Sequence, residues 1–407
     1  MDLRVVILLL LEALFAFWLL YKTKLINRPR TALVSAALLA LAFLLRALVL
    51  DYETLDYQDF LTHWVAFFRS NGGFRALARP VGNYNIPYLY FLALFSYSSI
   101  RDLYLIKLLS IFFDLILAWA CALVLGRYTD SVPRRLGCFF AVLFLPTVFL
   151  NGSVWAQCDS SYVALAVLGI ALALYDRPVL SMICAALSFG FKLQAVFVLP
   201  VYALFWMQGK IKLRHFLVFP VSYVLLVLPA VLLGRPFVDT VTLYLNQTGS
   251  VGSGLNYNSP SIYALFRNVA DEALAARLGI LAAFAFLLCL LALAFLFRRR
   301  LNDRAVLAAA LLLAIGIPFF LPHMHDRYFF AADILSLILA FSAWEYASVP
   351  LLVQFASLLG YHAYLKMRYL LLMDRGTWAL VAALLLTGVN AFFALKDAPR
   401  PKGEILS

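Results

Sequence analysis

The chain is built around solid apolar runs of about 17 to 22 residues, the length an α-helix needs to cross the hydrocarbon core of a bilayer. Such runs recur from VVILLLLEALFAFWLLY near the N-terminus into the last third of the 407 residues. A transmembrane β-barrel would show alternation instead. The charged fraction of 13% is roughly half that of a soluble domain. The fold class expected is therefore an all-α polytopic membrane protein with about 11 to 13 membrane segments. No internal repeat is visible.

The net charge of +12 would suit nucleic acid only if the basic residues formed one patch, and here they sit in short clusters between apolar runs. They read as topology signals, with the lipid bilayer and no nucleic acid as partner. The five cysteines have neither paired nor zinc-like spacing. The first apolar run is followed by KTKLINRPR and shows no small-residue cleavage site, the reverse of a secretory signal, so it is expected to stay as a transmembrane helix. Glu12 within it reads either as a bundle-facing functional group or as a structural hydrogen-bonding group.

Placing Lys22, Lys24, Arg28 and Arg30 in the cytoplasm sends residues 32–50 outward and makes 51–85 an extracytoplasmic loop. KIKLR (210–214), RRRLNDR (298–304) and the tail after Ala394 then lie inside. Residues 151–160, FKLQ (191–194), the long loop 235–276 and LPHMHDRY (321–328) lie outside. For the parity to close, either 86–99 or 138–150 must stop short of crossing, and both are short enough to be half helices. Residues 178–207 read as two short helices interrupted at KLQ; Lys366 and Arg368 fit the assignment worst. The expected organisation is an N-terminal helix with a basic turn (1–31), a central membrane domain (32–344), and C-terminal helices with a tail (345–407).

Polar residues collect in four of these outer segments. In LDYQDFLTHW (55–64), a helix over 56–68 would put Asp56, Asp59 and His63 on one face and Phe60, Trp64, Phe67 and Phe68 in an apolar stripe. That describes an interfacial amphipathic helix, or otherwise a solvated loop face. In NGSVWAQCDSSY (151–162), Trp155, Gln157 and Asp159 are either site members or a polar turn with a belt tryptophan. Lys192 and Gln194 offer a cation at a helix end, or a snorkelling lysine. In LPHMHDRYFFAAD (321–333), Arg327 has a fork suited to phosphate oxygens and His325 a second donor, while histidines at i, i+2 make a weak metal site. Carboxylates able to take a hydroxyl proton, together with cations able to hold a leaving phosphate, suit group transfer from a membrane-anchored phosphate.

Residues 234–266 are rich in Gly, Ser, Asn and Tyr, which suits either a connector or contact with sugar hydroxyls. NGS (151–153) and NQT (246–248) match the short glycosylation sequon. Arg46, Lys107, Asp114 and Asp333 lie within apolar runs as structural pairs or as site members.

LDYQDFLTHW followed by GNYNIPYLY (82–90) resembles the first extracytoplasmic loop of the GT-C membrane glycosyltransferases, in which an acid precedes a tryptophan and an Asn/Asp-Tyr-Pro-Pro-like stretch opens the next helix. The resemblance is nearest to the bacterial proteins related to the GPI mannosyltransferase, and more distant to the dolichyl-phosphate-glucose-dependent glucosyltransferases. WAQCDS, FKLQ and MHDRY are similar to that bacterial family's W-x-Q-C-D-S, F-K-x-Q and M-H-E-R-Y, so the matches spread from about residue 51 to 335. Ile86 replaces the first proline of the usual pair, His63 stands where proline is common, and Asp326 replaces glutamate.

The resemblance implies a GT-C-like bundle and an inverting transfer of a hexose, such as mannose, from a polyprenyl-phosphate donor to a hydroxyl of a glycan, lipid or protein acceptor. It places the active site on the extracytoplasmic face of a bacterial plasma membrane. No nucleotide or other cofactor is called for, and a divalent metal is left open. Asp56 sits where the catalytic base would be, with Asp59 as the other choice; Arg327 and His325, with Lys192, sit where the donor phosphate would be held. The implied substrate contacts are His63, Trp64, Tyr84, Asn85, Trp155, Gln157, Asp159, Gln194, His323 and Tyr328. The rival class is a transporter or lipid-linked sugar flippase, which would tend to show interrupted helices in two matching halves.

Overall fold

A backbone inside hydrocarbon must pair all its N–H and C=O groups within the protein, and helices do so locally. The computed structural model describes residues 2–246, 254–266 and 268–396, and these are almost entirely helical. In chain order come α1 (Leu3–Lys22), α2 (Pro29–Ala47), α3 (Thr62–Ser70), α4 (Ile86–Phe95), α5 (Asp102–Leu125), α6 (Val132–Leu143) and α7 (Pro146–Phe149). They are followed by α8 (Asp159–Leu174), α9 (Pro178–Phe191), α10 (Val201–Met207), α11 (Leu213–Phe216), α12 (Val218–Leu232), α13 (Phe237–Val241) and α14 (Leu243–Asn246). The last are α15 (Glu272–Leu296), α16 (Asp303–Phe320), α17 (Phe330–Ser342), α18 (Val349–Leu365) and α19 (Met373–Lys396). The strands among the described residues, β1 (Asn256–Tyr257) and β2 (Met324–His325), have two residues each. Gln247 and Thr248 of the second sequon, the long loop's residues 247–253 and the tail from 397 lie outside the described residues.

Among the described residues, seven helical stretches are long and apolar enough to cross a membrane: α1, α2, α5, Leu213–Leu232, α15, α16 and Met373–Leu395. Val132–Leu143 with Pro146–Val154, bent by 45°, makes an eighth if it is one broken span. The class of integral membrane protein stands. The expected count of segments is reached only when at least three of the four shorter apolar helices, α4, α8, α9 and α17, are included. Ten residues give α4 a length of about 15 Å, half the thickness of the hydrocarbon core. Helix α4 is thus too short to cross alone, while residues 138–150 fall in the bent pair, which is either a broken span or a re-entrant loop. As expected, 178–207 breaks in the middle: α9 ends at Phe191, a 3-10 turn covers Leu193–Phe197, and α10 starts at Val201. Lys366 and Arg368 lie in an exposed turn between α18 and α19.

The described residues fall into two compact units that interleave along the chain. The first comprises those among Met1–Ala171, Val179–Ala195 and Leu217–Ser250, and the second those among Leu172–Pro178, Val196–Phe216 and Val251–Ser407. In the first, α5 is the central helix, buried along most of its length. Hydrocarbon tails are as apolar as leucine, so helix association relies on close packing and polar contacts more than on solvent exclusion. Ala118, Ala120, Cys121 and Ala122 of α5 are fully buried, and Phe112 stacks on Phe15 of α1 at 5.4 Å. Arg46 of α2 adds a polar tie: it reaches Asp114 of α5 at 3.1 Å and donates to the carbonyls of Ala42 and Leu143, while Ser160 of α8 donates to the other Asp114 oxygen.

In the second unit α16 is the buried helix, with Ala308, Ala310, Ala314 and Gly316 among its buried positions. A Cβ at Gly316 would lie 2.2 Å from the Phe286 ring of α15, so any larger residue at this crossing would have to displace that ring. Ser357 of α18 donates to Asp333 of α17 at 3.0 Å. The buried charges Arg46, Asp114 and Asp333 thus hold helices together.

Candidate active site

The loop that follows α2 carries Asp56 and is pinned by the first turns of α5. Lys107 Nζ donates to three loop carbonyls, Val49 and Leu50 at 3.0 Å and Tyr52 at 2.7 Å. Tyr104 donates to Asp51, Arg101 pairs with Glu53, and Tyr57 donates to Asp102 at 2.8 Å. Thr54 donates to the Trp155 carbonyl at 3.0 Å. Hydrogen bonding from Gln58, and then from Arg101, lowers the Glu53 pKa, whereas burial raises that of Tyr57. Side chains of the loop and of the start of α5 therefore hold residues 49–58 in place before any substrate is considered.

Asp56 is followed by a single π-helical turn, Tyr57–Leu61, and then by α3. Tyr57, Leu61, Val65 and Phe68 point into the protein, while Phe60 is exposed and Trp64 and Phe67 are half-buried. The shared face expected for Asp56, Asp59 and His63 is divided: Asp56 is half-buried, and Asp59 and His63 are exposed. The cause is local. Asp56 precedes the π turn, whose extra residue per turn breaks the 3.6-residue spacing on which the alignment relied.

A second π turn, Leu150–Val154, prepares the partners of Asp56. It leads into Trp155, fully buried, and Ala156, held at φ +65° in the left-handed region that a residue with a Cβ rarely occupies. The turn is fixed by Gln157 N–H donating to the Asn151 carbonyl at 2.9 Å and by Ser110 donating to the Gln157 carbonyl at 2.6 Å. Trp155 Nε1 and Gln157 Nε2 then donate to the same carboxylate oxygen, Asp56 Oδ2, at 2.9 and 2.6 Å. No protein-family model and no curated protein matches the chain.

Tyr84 continues the network by donating to Gln157 Oε1 at 3.1 Å, which leaves the Gln157 amide only one sensible orientation. Its ring lies edge-on to Trp64 at 5.4 Å and beneath the Lys192 ammonium at 5.6 Å. Trp64 occupies the space a side chain at position 82 would need: a Cβ there would meet the indole at 2.4 Å, and φ is +62°, so Gly82 is required on both counts. Asn85 caps α4 through the Ile86 N–H and donates to Tyr223 at 3.0 Å. Lys192 forms a buried ion pair with Asp159 at 2.5 Å, and Asn151 donates to the other Asp159 oxygen at 2.8 Å. Gln194 is buried, with Oε1 lacking a hydrogen-bond partner. Three of the four polar segments singled out in the sequence thus meet in the first unit.

The fourth segment lies in the second unit. Its Met324 and His325 pair in parallel with Asn256 and Tyr257 of the long loop. Tyr257 stacks on His325 at 4.7 Å with the rings 12° apart, and Tyr328 lies 5.2 Å from the same imidazole. His323, at φ +62°, contacts the Gly254 carbonyl through Nδ1 at 2.7 Å. Arg327, half-buried, reaches its neighbour Asp326 at 3.4 Å. Gly360 of α18 lets the segment lie close: a Cβ there would be 2.6 Å from the Asp326 carbonyl and 3.0 Å from that of Asn258.

Thr54 and Ser110 were not legible as site supports, because a hydroxyl does not reveal its partner in sequence, whereas Lys107 stood out as a structural pair or site member and Asn151 lay in a segment already singled out. Tyr257 carried a faint signal, the tyrosine and asparagine content of its loop.

Proposed function

We propose that this chain is an integral membrane hexosyltransferase of the inverting type. It moves a hexose, mannose being the first to try, from a polyprenyl-phosphate donor to a hydroxyl acceptor on the extracytoplasmic face. The observation that carries the reading is the Asp56 carboxylate, half-buried in a pinned loop and oriented by Trp155 Nε1 and Gln157 Nε2. A carboxylate fixed in this way suits a general base better than a solvated loop acid does.

In the proposed step Asp56 takes the proton of the acceptor hydroxyl while its oxygen bonds to the anomeric carbon from the face opposite the donor phosphate. The bond between that carbon and the phosphate oxygen breaks, and polyprenyl phosphate leaves with the electron pair. Arg327 and His325 are proposed to take the donor phosphate, a role that rests on the resemblance of MHDRY and on the fit of a guanidinium fork to phosphate oxygens. Asp59, on the exposed side of its turn, is the second choice of base.

The test offers the purified protein a panel of synthetic polyprenyl-phosphate hexoses with acceptor and follows sugar release and product by mass spectrometry. Asp56→Asn should lower transfer by about 100- to 10,000-fold, the usual contribution of a positioned base, with donor affinity kept. Arg327→Gln should instead raise the donor KM. More than a tenth of the rate retained in Asp56→Asn would move the role to Asp59. Intact lipid crossing the bilayer with no sugar released would favour a flippase.

A further inference from the structure

Lys192 was expected at the donor phosphate, yet its ammonium is buried and paired. Its side chain is only 6% exposed, and Nζ lies 2.5 Å from Asp159 Oδ1. Asp159 is gripped again by Asn151, whose amide donates to Oδ2 at 2.8 Å and whose Oδ1 accepts from the Asp159 N–H at 3.3 Å. These bonds close residues 151–159 into a loop, and the loop presents Trp155 and Gln157 to Asp56. The same ammonium sits 5.6 Å over the ring of Tyr84, whose hydroxyl holds the far end of the Gln157 amide.

Resting on the reading given above, we propose that Lys192 is a positioning residue: it locks the turn and the tyrosine that together aim Gln157 and Trp155 at the catalytic carboxylate, and it does not hold substrate. Both supports of the Gln157 amide, the turn behind it and the phenol in front of it, converge on this one cation. Reassigning the ammonium to a phosphate would leave Asp159 a buried carboxylate without its counter-charge, which is strongly unfavourable.

The test compares full-length wild type with Lys192→Met, Asp159→Asn and the pair combined, in lipid nanodiscs. A positioning role predicts that Lys192→Met lowers kcat by about 100-fold, the scale of a small misplacement at a reacting centre, with the donor KM within about threefold of wild type. The combined variant, which removes both charges, should recover at least about tenfold of kcat. A phosphate-holding lysine predicts the opposite pattern: the donor KM rises by about tenfold or more, and the combined variant stays as poor as Lys192→Met.

A second measurement needs no activity. Cys158, 3% exposed between Gln157 and Asp159, should react with a maleimide at least about tenfold faster in Lys192→Met and slow again in the combined variant, as followed by peptide mass spectrometry. Unchanged labelling in Lys192→Met would overturn the lock. If Lys192→Met does not accumulate, Asn151→Ala removes the second hold on Asp159 without unpairing a charge. It should lower kcat and speed Cys158 labelling, and normal values for both would overturn the proposal. A wild type that transfers sugar from no donor would sink the transferase reading, while the thiol labelling still decides whether the lock exists.

Discussion

Asp56 is held through a graded series of side chains, and the grading can be measured. Gln157 donates directly to the carboxylate, whereas Tyr84 acts one bond further out, on the Gln157 amide oxygen. A hydrogen bond to a charged group is worth about 1.5–3 kcal/mol and a neutral one about 0.5–1.5 kcal/mol. Gln157→Leu should therefore slow transfer by roughly 10- to 100-fold, and Tyr84→Phe, which keeps the ring under Lys192 and against Trp64, by about tenfold at most. Steady-state kinetics of the two variants check the order, and a larger loss in Tyr84→Phe would mean that the phenol touches substrate. The residues of this chain of support were mostly legible in the sequence, since Trp155, Gln157, Asp159 and Lys192 stand out as polar or aromatic groups interrupting apolar runs, while Tyr84 was singled out only by the resemblance of GNYNIPYLY. Who holds whom was not legible. The Lys192–Asp159 pair joins positions 33 apart in sequence, and the Asp56–Gln157 bond positions 101 apart. Spacing rules reach only a turn or two of helix.

At the level of elements, the two π turns explain where a helical reading succeeds and where it fails. Sequence periodicity gives helix content and the apolar runs correctly, because every backbone group in hydrocarbon must be paired within its own segment. It cannot anticipate the extra residue of Tyr57–Leu61, so Asp59 and His63 were grouped with Asp56 although they are exposed where Asp56 is half-buried. The other decisive element contact is the buried tie of α2 to α5. Removing one member of a buried pair costs about 3–5 kcal/mol because the remaining charge is uncompensated. Arg46→Met or Asp114→Leu alone should each lower stability by about that amount, and the two together by clearly less, because no lone charge is left behind. Thermal unfolding of the three variants in detergent checks this. Equal, additive losses would mean that the pair is wetter than its burial suggests. Lys107→Met should act differently, since its three carbonyl contacts anchor the loop that bears Asp56. It should slow transfer more than it lowers the unfolding midpoint.

For the whole molecule, the sequence supplied the class and an orientation, and these carry different weight. The class follows from apolar length, which the helices realise. The orientation follows from charge alone: the basic groups at 22–30, 210–214 and 298–304 are assigned to the cytoplasm, which puts the loop with Asp56 on the opposite side. The proposed chemistry depends on that side, because a lipid-linked donor is needed only where nucleotide sugars are absent. Single cysteines test it directly in cells expressing the full chain. In a background with Cys289 replaced by alanine, Asp59→Cys, on an exposed position of its turn, should label with a membrane-impermeant maleimide in intact cells. Arg299→Cys, in the basic turn between α15 and α16, should label only after permeabilisation. The opposite pattern would place Asp56 in the cytoplasm, where a nucleotide-sugar donor becomes chemically reasonable and the need for a polyprenyl carrier disappears.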